Sequence, residues 1–181
     1  MKELSLHILD IAQNSLVAGA TLIEVSVNAN TETDILRIEI TDNGKGIAPE
    51  VLPIVMDPYT TSRTTRKVGM GLPLLKDACE MSGGSLTITS EVGKGTAIKA
   101  MLGYGHIDRQ PLGDISGVIM LLVSANINVD FIYKHSLNGN EYIFDTREIK
   151  EVLEGLPLNS PEVYKLLKEM LSLNLDEIQI R

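Results

Sequence analysis

Three glycine-bearing loops carry the residues whose types and spacing could do chemistry: Asp42-Asn43-Gly44-Lys45-Gly46, Gly69-Met70-Gly71-Leu72 and Gly93-Lys94-Gly95-Thr96. Each alone reads as a turn, because paired glycines mark turns more often than sites. Their joint order says more. The first loop sets a carboxylate at a strand end beside glycines that let a flat ligand approach the backbone, as an adenine amino group requires of its acceptor. The second directly precedes a helical stretch, where free N–H groups and the helix dipole favour phosphate oxygens. The Gly-Lys-Ser/Thr ending of a P-loop is missing, as is the six-position dinucleotide fingerprint. A nucleotide site built from these loops needs another fold.

The elements that must position the loops follow from the apolar periodicity. Leu4, Ile8, Ile11 and Leu16, with Ala12 and Ser15, fall at helical spacing, and Gly19 closes that helix. Residues 22–27 and 35–40 alternate as β-branched runs and read as an antiparallel hairpin. An irregular stretch around Pro49, Pro53 and Pro58 leads to a second helix over 72–82, stopped by Gly83-Gly84. Residues 85–91 and 96–102 then form two more strands, joined through Gly93-Lys94-Gly95. Strands that come in adjacent pairs, instead of alternating with helices, predict an α+β two-layer sandwich with helices on one face of a mixed sheet.

At Gly105 the pattern changes to a linker-like segment, which divides the chain into residues 1–104 and a small α+β unit over 105–181. Asp114 is placed to cap a helix through Ala125. Strands over 129–135 and 142–145 turn at Asn138-Gly139, so Tyr133 faces Phe144 and His135 faces Tyr142. Thr146 is expected to cap a short helix, and Ser160-Pro161-Glu162 to open a last one through Leu171.

Composition narrows the function classes. The 181 residues are 44% hydrophobic and 22% charged, the profile of a folded globular chain. A net charge of −8 has the wrong sign for neutralising a phosphate backbone, so nucleic acid is not the expected partner. No apolar run approaches the length of a membrane span, and a cytoplasmic protein is expected. The single cysteine, Cys79, cannot close an internal disulfide and reads as a packing residue. His7 reads as a structural or solvent-facing residue, and His106 and His135 as loop and packing residues.

Residues 4–102 resemble the ATPase superfamily shared by histidine kinases, DNA gyrase, the heat-shock chaperone and the mismatch-repair clamp protein, whose two-layer fold is the Bergerat type. Four ordered boxes carry the resemblance. Asp10-Ile11-Ala12-Gln13-Asn14 matches the family's acidic residue four positions before an asparagine. The following Ser15-Leu16-Val17-Ala18-Gly19-Ala20-Thr21 looks like the mismatch-repair branch. Pro58-Tyr59-Thr60-Thr61, Gly69-Met70-Gly71-Leu72 and the segment from Gly83 to Thr96 look like the histidine kinase branch.

The resemblance implies roles residue by residue. Asp10 would be the general base and Asn14 the Mg2+ ligand. Asp42 would accept from the adenine amino group, with Gly44, Gly46, Ile47 and Thr96 around the same base. Gly69, Met70, Gly71 and Leu72 would offer N–H groups to phosphates, under a lid over 57–68 in which Thr60, Thr61, Ser62 and Arg63 are phosphate contacts. The chain departs from the family at Asp10, where glutamate is usual, and at Val17, where histidine kinases often carry lysine. Arg63, Arg66 and Lys67 either supply that charge from the lid or form a solvated loop. The implied ligands are ATP or ADP with Mg2+. The implied activity is that of a stand-alone kinase or ATPase acting on a separate protein partner. A non-catalytic nucleotide sensor is the alternative, and an ATP-driven homodimeric clamp ranks behind it.

Overall fold

The computed structural model describes residues 2–56 and 71–180. Its elements run α1 (Leu4–Val17), β1 (Leu22–Asn30), β2 (Ile35–Asp42), α2 (Leu52–Val55), α3 (Gly71–Met81), β3 (Ser85–Glu91) and β4 (Gly95–Gly103). They continue with α4 (Ile115–Ala125), β5 (Asp130–Leu137), β6 (Asn140–Asp145), α5 (Thr146–Val152) and α6 (Pro161–Glu177). All six strands form one sheet in the order β3-β4-β2-β1-β5-β6, antiparallel except where β5 pairs with β1. Strand alternation sends Ile23, Val25 and Val27 of β1 and Leu36, Ile38 and Ile40 of β2 to a buried face. Over that face the helices lie in the order α3-α1-α4-α6: α3 packs on β3 and β4, α1 on β1 and β2, α4 on β5 and α6 on β6. This is the α+β two-layer sandwich that the paired strands predict.

Residues 105–180 contribute to the same sheet and the same core. The backbone N–H groups of Leu4 and Ser5, left over at the start of α1, donate to the carbonyls of Pro111 and Leu112 at 3.0 and 2.8 Å. Glu3 provides no side-chain cap there, so the returning chain takes the place of one. The hairpin register pairs Tyr133 with Phe144 and His135 with Tyr142 as the turn at Asn138-Gly139 requires, both turn residues having positive φ.

Three local expectations are corrected. Asp145, not Thr146, caps α5, its Oδ1 accepting from the Arg147 N–H at 2.9 Å. The Thr146 hydroxyl instead accepts from the Phe131 N–H, tying the start of α5 to β5. The last helix continues past Leu171 to Glu177, because Leu175 repeats the buried stripe of Leu167 and Leu171. Finally, the proline-rich stretch contains the single turn α2, started by Pro53 within its first positions.

Two buried histidines make acidification costly. His135 Nε2 lies 2.8 Å from the carbonyl of Ile178, which can only accept, so Nε2 carries the proton and Nδ1 accepts from the buried Tyr133 hydroxyl at 2.6 Å. Burial holds the His135 pKa below its ordinary 6.5, partly offset by the Ile178 carbonyl. Burial lowers His7 likewise, opposed by its bond to Gln110. The unfolded chain therefore binds more protons, and the stability these rings contribute is complete above 6.5 and lost as pH falls from there through their folded values. The urea midpoint should be lower at pH 5.5 than at 7.5. A midpoint that stays level or rises would show that the rings are not held neutral.

Candidate functional site

Asp42 closes β2, and the strand register determines what stands beside it. Its Cα partner on β4 is Thr96, whose partner on β3 is Ser90. Three polar side chains thus form a row across the sheet on the helix-facing side. Two residues further along each strand, Ile40, Ile98 and Ile88 form a parallel apolar row. Above these rows lies a cavity of about 420 Å3, lined by Ile11, Asn14, Ser15 and Val17 of α1, by Ala18 just after it, by residues 45–48, by Val51, Val55 and Leu72, and by the sheet. Its volume suits a small organic ligand. A second cavity of about 350 Å3 between α4 and α6 is lined by none of the candidate site residues.

The Asp42 carboxylate is buried and doubly held. The Ser15 hydroxyl donates to Oδ2 at 2.6 Å, the length of an O–H to carboxylate bond, and the Gly44 N–H donates to Oδ1 at 2.8 Å. The turn carrying Gly44 is laced to its surroundings on both sides. Asn43 accepts the N–H groups of Thr21 and Leu22 on its Oδ1, at 2.8 and 2.9 Å. The Lys45 N–H donates to the Ala18 carbonyl at the end of α1, and its own carbonyl accepts from Gly93. Gly95 lets β4 begin against this turn, since a Cβ there would fall on the Asp42 carbonyl oxygen. Ile47 lines the cavity and donates its N–H to the Ser90 hydroxyl at 2.8 Å.

Among the sequence candidates, then, Asn14, Asp42, Gly46, Ile47, Leu72 and Thr96 line one cavity, with Gly44 bonded to Asp42. Asp10 is not among the lining residues. Its Oδ2 is buried with no hydrogen-bond partner among the described residues, against Gly71 at the start of α3. Thr60, Thr61, Ser62, Arg63, Arg66, Lys67, Gly69 and Met70 fall outside the described residues. The sequence reading missed Ser15, Asn43 and Ser90 as residues that hold the candidate site together. Ser15 was legible in principle, because a small hydroxyl on the buried stripe of a helix needs an acceptor. The partners of Asn43 and Ser90 depend on strand register and carried no local signal. Cys79 is buried and its thiol is pushed up to about 12 by that burial, which suits a packing residue and not a nucleophile.

Residues 2–105 match the family described as histidine kinase-, DNA gyrase B-, and HSP90-like ATPase. The chain belongs to this family. Over 89 residues it is 32% identical to the sensor histidine kinase ZraS of Escherichia coli strain K12, a match covering 49% of this chain and 19% of that protein. Over 95 residues it is 33% identical to sporulation kinase D of Bacillus subtilis, covering 52% of this chain and 19% of that kinase. The chain thus spans about a fifth of the length of these relatives. A crystal structure of the N-terminal domain of a DNA repair protein shares the fold, with TM-score 0.52 and 15% identity over 79% of this chain and 52% of that one. No helix among the described residues is long and apolar enough to cross a membrane.

The Asp10–Gly71 contact gives a direct test of how α1 positions α3. A Cβ at residue 71 would fall on Asp10 Oδ2. Gly71→Ala should therefore destabilise the fold by about 1–3 kcal/mol in urea unfolding, the usual cost of overpacking. Shortening the neighbour with Asp10→Ser should recover part of that loss. Strictly additive effects would mean that the two residues do not touch.

Proposed function

We propose that this chain is an ATP–Mg2+ binding domain of the histidine kinase type that acts on a separate protein partner, by passing on the γ-phosphoryl group or by presenting a nucleotide-dependent surface. One observation carries the reading: a carboxylate held by Ser15 and Gly44 stands at one end of a largely apolar cavity of purine-accommodating size. A purine can lie on Ile88 and Ile98 while its exocyclic amine donates to Asp42. Asn14, one residue before Ser15 on α1, lines the same cavity, and its amide oxygen is a hard ligand of the sort Mg2+ accepts alongside phosphates and waters. The bound ion would neutralise charge on the phosphates, and the chain's own part would be positioning. Gly71 and Leu72, at the N-terminus of the eleven-residue α3, would offer N–H groups to the phosphates.

A second reading, a nucleotide sensor without turnover, is favoured by one specific feature. Asp10, the residue proposed as general base, presents Oδ2 to Gly71 and not to the cavity, and its side chain is one methylene shorter than glutamate. Labelled ATP separates the readings. Phosphate released to water, or moved to a partner, at a rate reduced by Asp10→Asn supports the enzyme. Tight binding with no turnover, unaltered by Asp10→Asn, supports the sensor.

Asp42→Ala removes a hydrogen bond to a charged group, about 1.5–3 kcal/mol, and should weaken ATP binding about ten- to a hundredfold in calorimetry. Asn14→Ala should abolish the gain in affinity on adding magnesium while leaving metal-free binding in place. Unaltered affinity in the first variant, or an undiminished magnesium effect in the second, would reject the respective role.

A further inference from the structure

The hydroxyl of Ser90 touches three groups, and its proton count fixes the direction of each bond. The Ile47 N–H donates to Ser90 Oγ at 2.8 Å. Ser90 Oγ also lies 2.8 Å from the carbonyl oxygen of Gly95 and 2.8 Å from Thr96 Oγ1. A serine hydroxyl has one proton and two lone pairs. The Gly95 carbonyl can only accept, so the Ser90 proton goes there. Both lone pairs then accept, one from Ile47 and the other from Thr96. The Thr96 proton is therefore committed to Ser90, and Thr96 turns only lone pairs toward the cavity.

Asp42 and the α1 hydroxyl beside it have the same polarity. Ser15 has one proton, and the bond to Asp42 at 2.6 Å takes it in preference to the 3.4 Å approach to the Ile11 carbonyl. Asp42 is an acceptor on both oxygens. Beside Asp42, then, the hydroxyls of Ser15 and Thr96 both have their protons engaged and present only acceptors toward a ligand.

We propose that Ser90 is a specificity-determining positioning residue: by holding the Thr96 proton away from the cavity, it keeps the wall beside Asp42 acceptor-only, so the site takes purine nucleotides with an exocyclic amine at C6 and rejects those with a carbonyl there. The inference rests on the adenine nucleotide reading above and extends it to a residue outside the cavity lining. Ser90 acts through Thr96 and Ile47. Loss of its hydroxyl frees the Thr96 proton to turn into the cavity beside Asp42, where it can meet a C6 carbonyl. The same loss unties Ile47 and is expected to lower affinity for every nucleotide, so the informative quantity is the ratio between two ligands.

The test is calorimetric binding of ATP and ITP, which differ at the C6 position and the adjoining N1 proton, to the full chain and four variants. The native chain is expected to prefer ATP by about a hundredfold or more, and Ser90→Ala to narrow that preference about tenfold, the weight of one hydrogen bond to a charged or strongly polar partner. Ser90→Thr keeps the hydroxyl and should retain the preference. Ser90→Cys, close in size and a poor acceptor, should narrow it as alanine does and serves if the alanine variant does not fold. The double variant Ser90→Ala with Thr96→Val has no proton to turn inward and should restore most of the preference. An ATP:ITP ratio unchanged in both Ser90→Ala and Ser90→Cys, or a narrowed ratio that Thr96→Val does not restore, overturns the inference while leaving ATP binding intact. Absence of ATP binding by the native chain overturns the underlying nucleotide reading instead.

Discussion

A carboxylate buried at the end of a strand is unfavourable unless its oxygens are met, and Asp42 is met by parts of the chain that are far apart in sequence. Ser15 comes from α1 and Gly44 from the turn after β2, while Thr96 stands across the register from β4. The constraint acts in both directions. A helix rotates about 100° per residue, so a slip of α1 by one position would carry Ser15 off the carboxylate and Asn14 out of the cavity together. A slip of β4 by one residue would turn Thr96 to the opposite face of the sheet. The apolar rows, the turn lacing through Asn43 and the close approach at Gly95 all serve to keep this one charged group where a ligand can reach it.

The C-terminal segment bears on the same constraint. α1 carries Asp10, Asn14 and Ser15, and the chain holds it at both ends. Its N-terminal N–H groups bond to Pro111 and Leu112, and near its C-terminus the Ala18 carbonyl accepts from Lys45. α4 packs along its flank, and β5 extends the sheet beside β1. Residues 105–180 therefore clamp the helix that carries these candidate residues. The network of Tyr133, His135 and the Ile178 carbonyl fastens the end of α6 to β5 in turn.

Much of this was legible in the sequence, and the physical reasons are specific. The periodic stripe Leu4, Ile8, Ile11 gave α1, and alternation gave β1 to β4 to within a few residues, because both reflect which side is buried. Asn138-Gly139 gave the β5–β6 register, since a two-residue turn leaves one pairing. Asp42 and Thr96 could be singled out as candidates because their glycine neighbours mark close backbone approach, and both line one cavity. What stayed hidden depends on long-range pairing. Nothing local to residues 130–137 says that they lie parallel to β1, and nothing local to Ser90 says that Ile47 will reach it. Asp145 displaced Thr146 as a cap because Thr146 found a better partner in β5.

A crystal of the full chain grown with a non-hydrolysable ATP analogue and magnesium tests the central claim most directly. The account predicts the exocyclic nitrogen of the base within hydrogen-bond distance of the Asp42 carboxylate, the ring between Ile88 and Ile98 below and Ile11 above, and the metal on the Asn14 amide oxygen. A base bound elsewhere, or one that places a ring atom other than that nitrogen against Asp42, would contradict it.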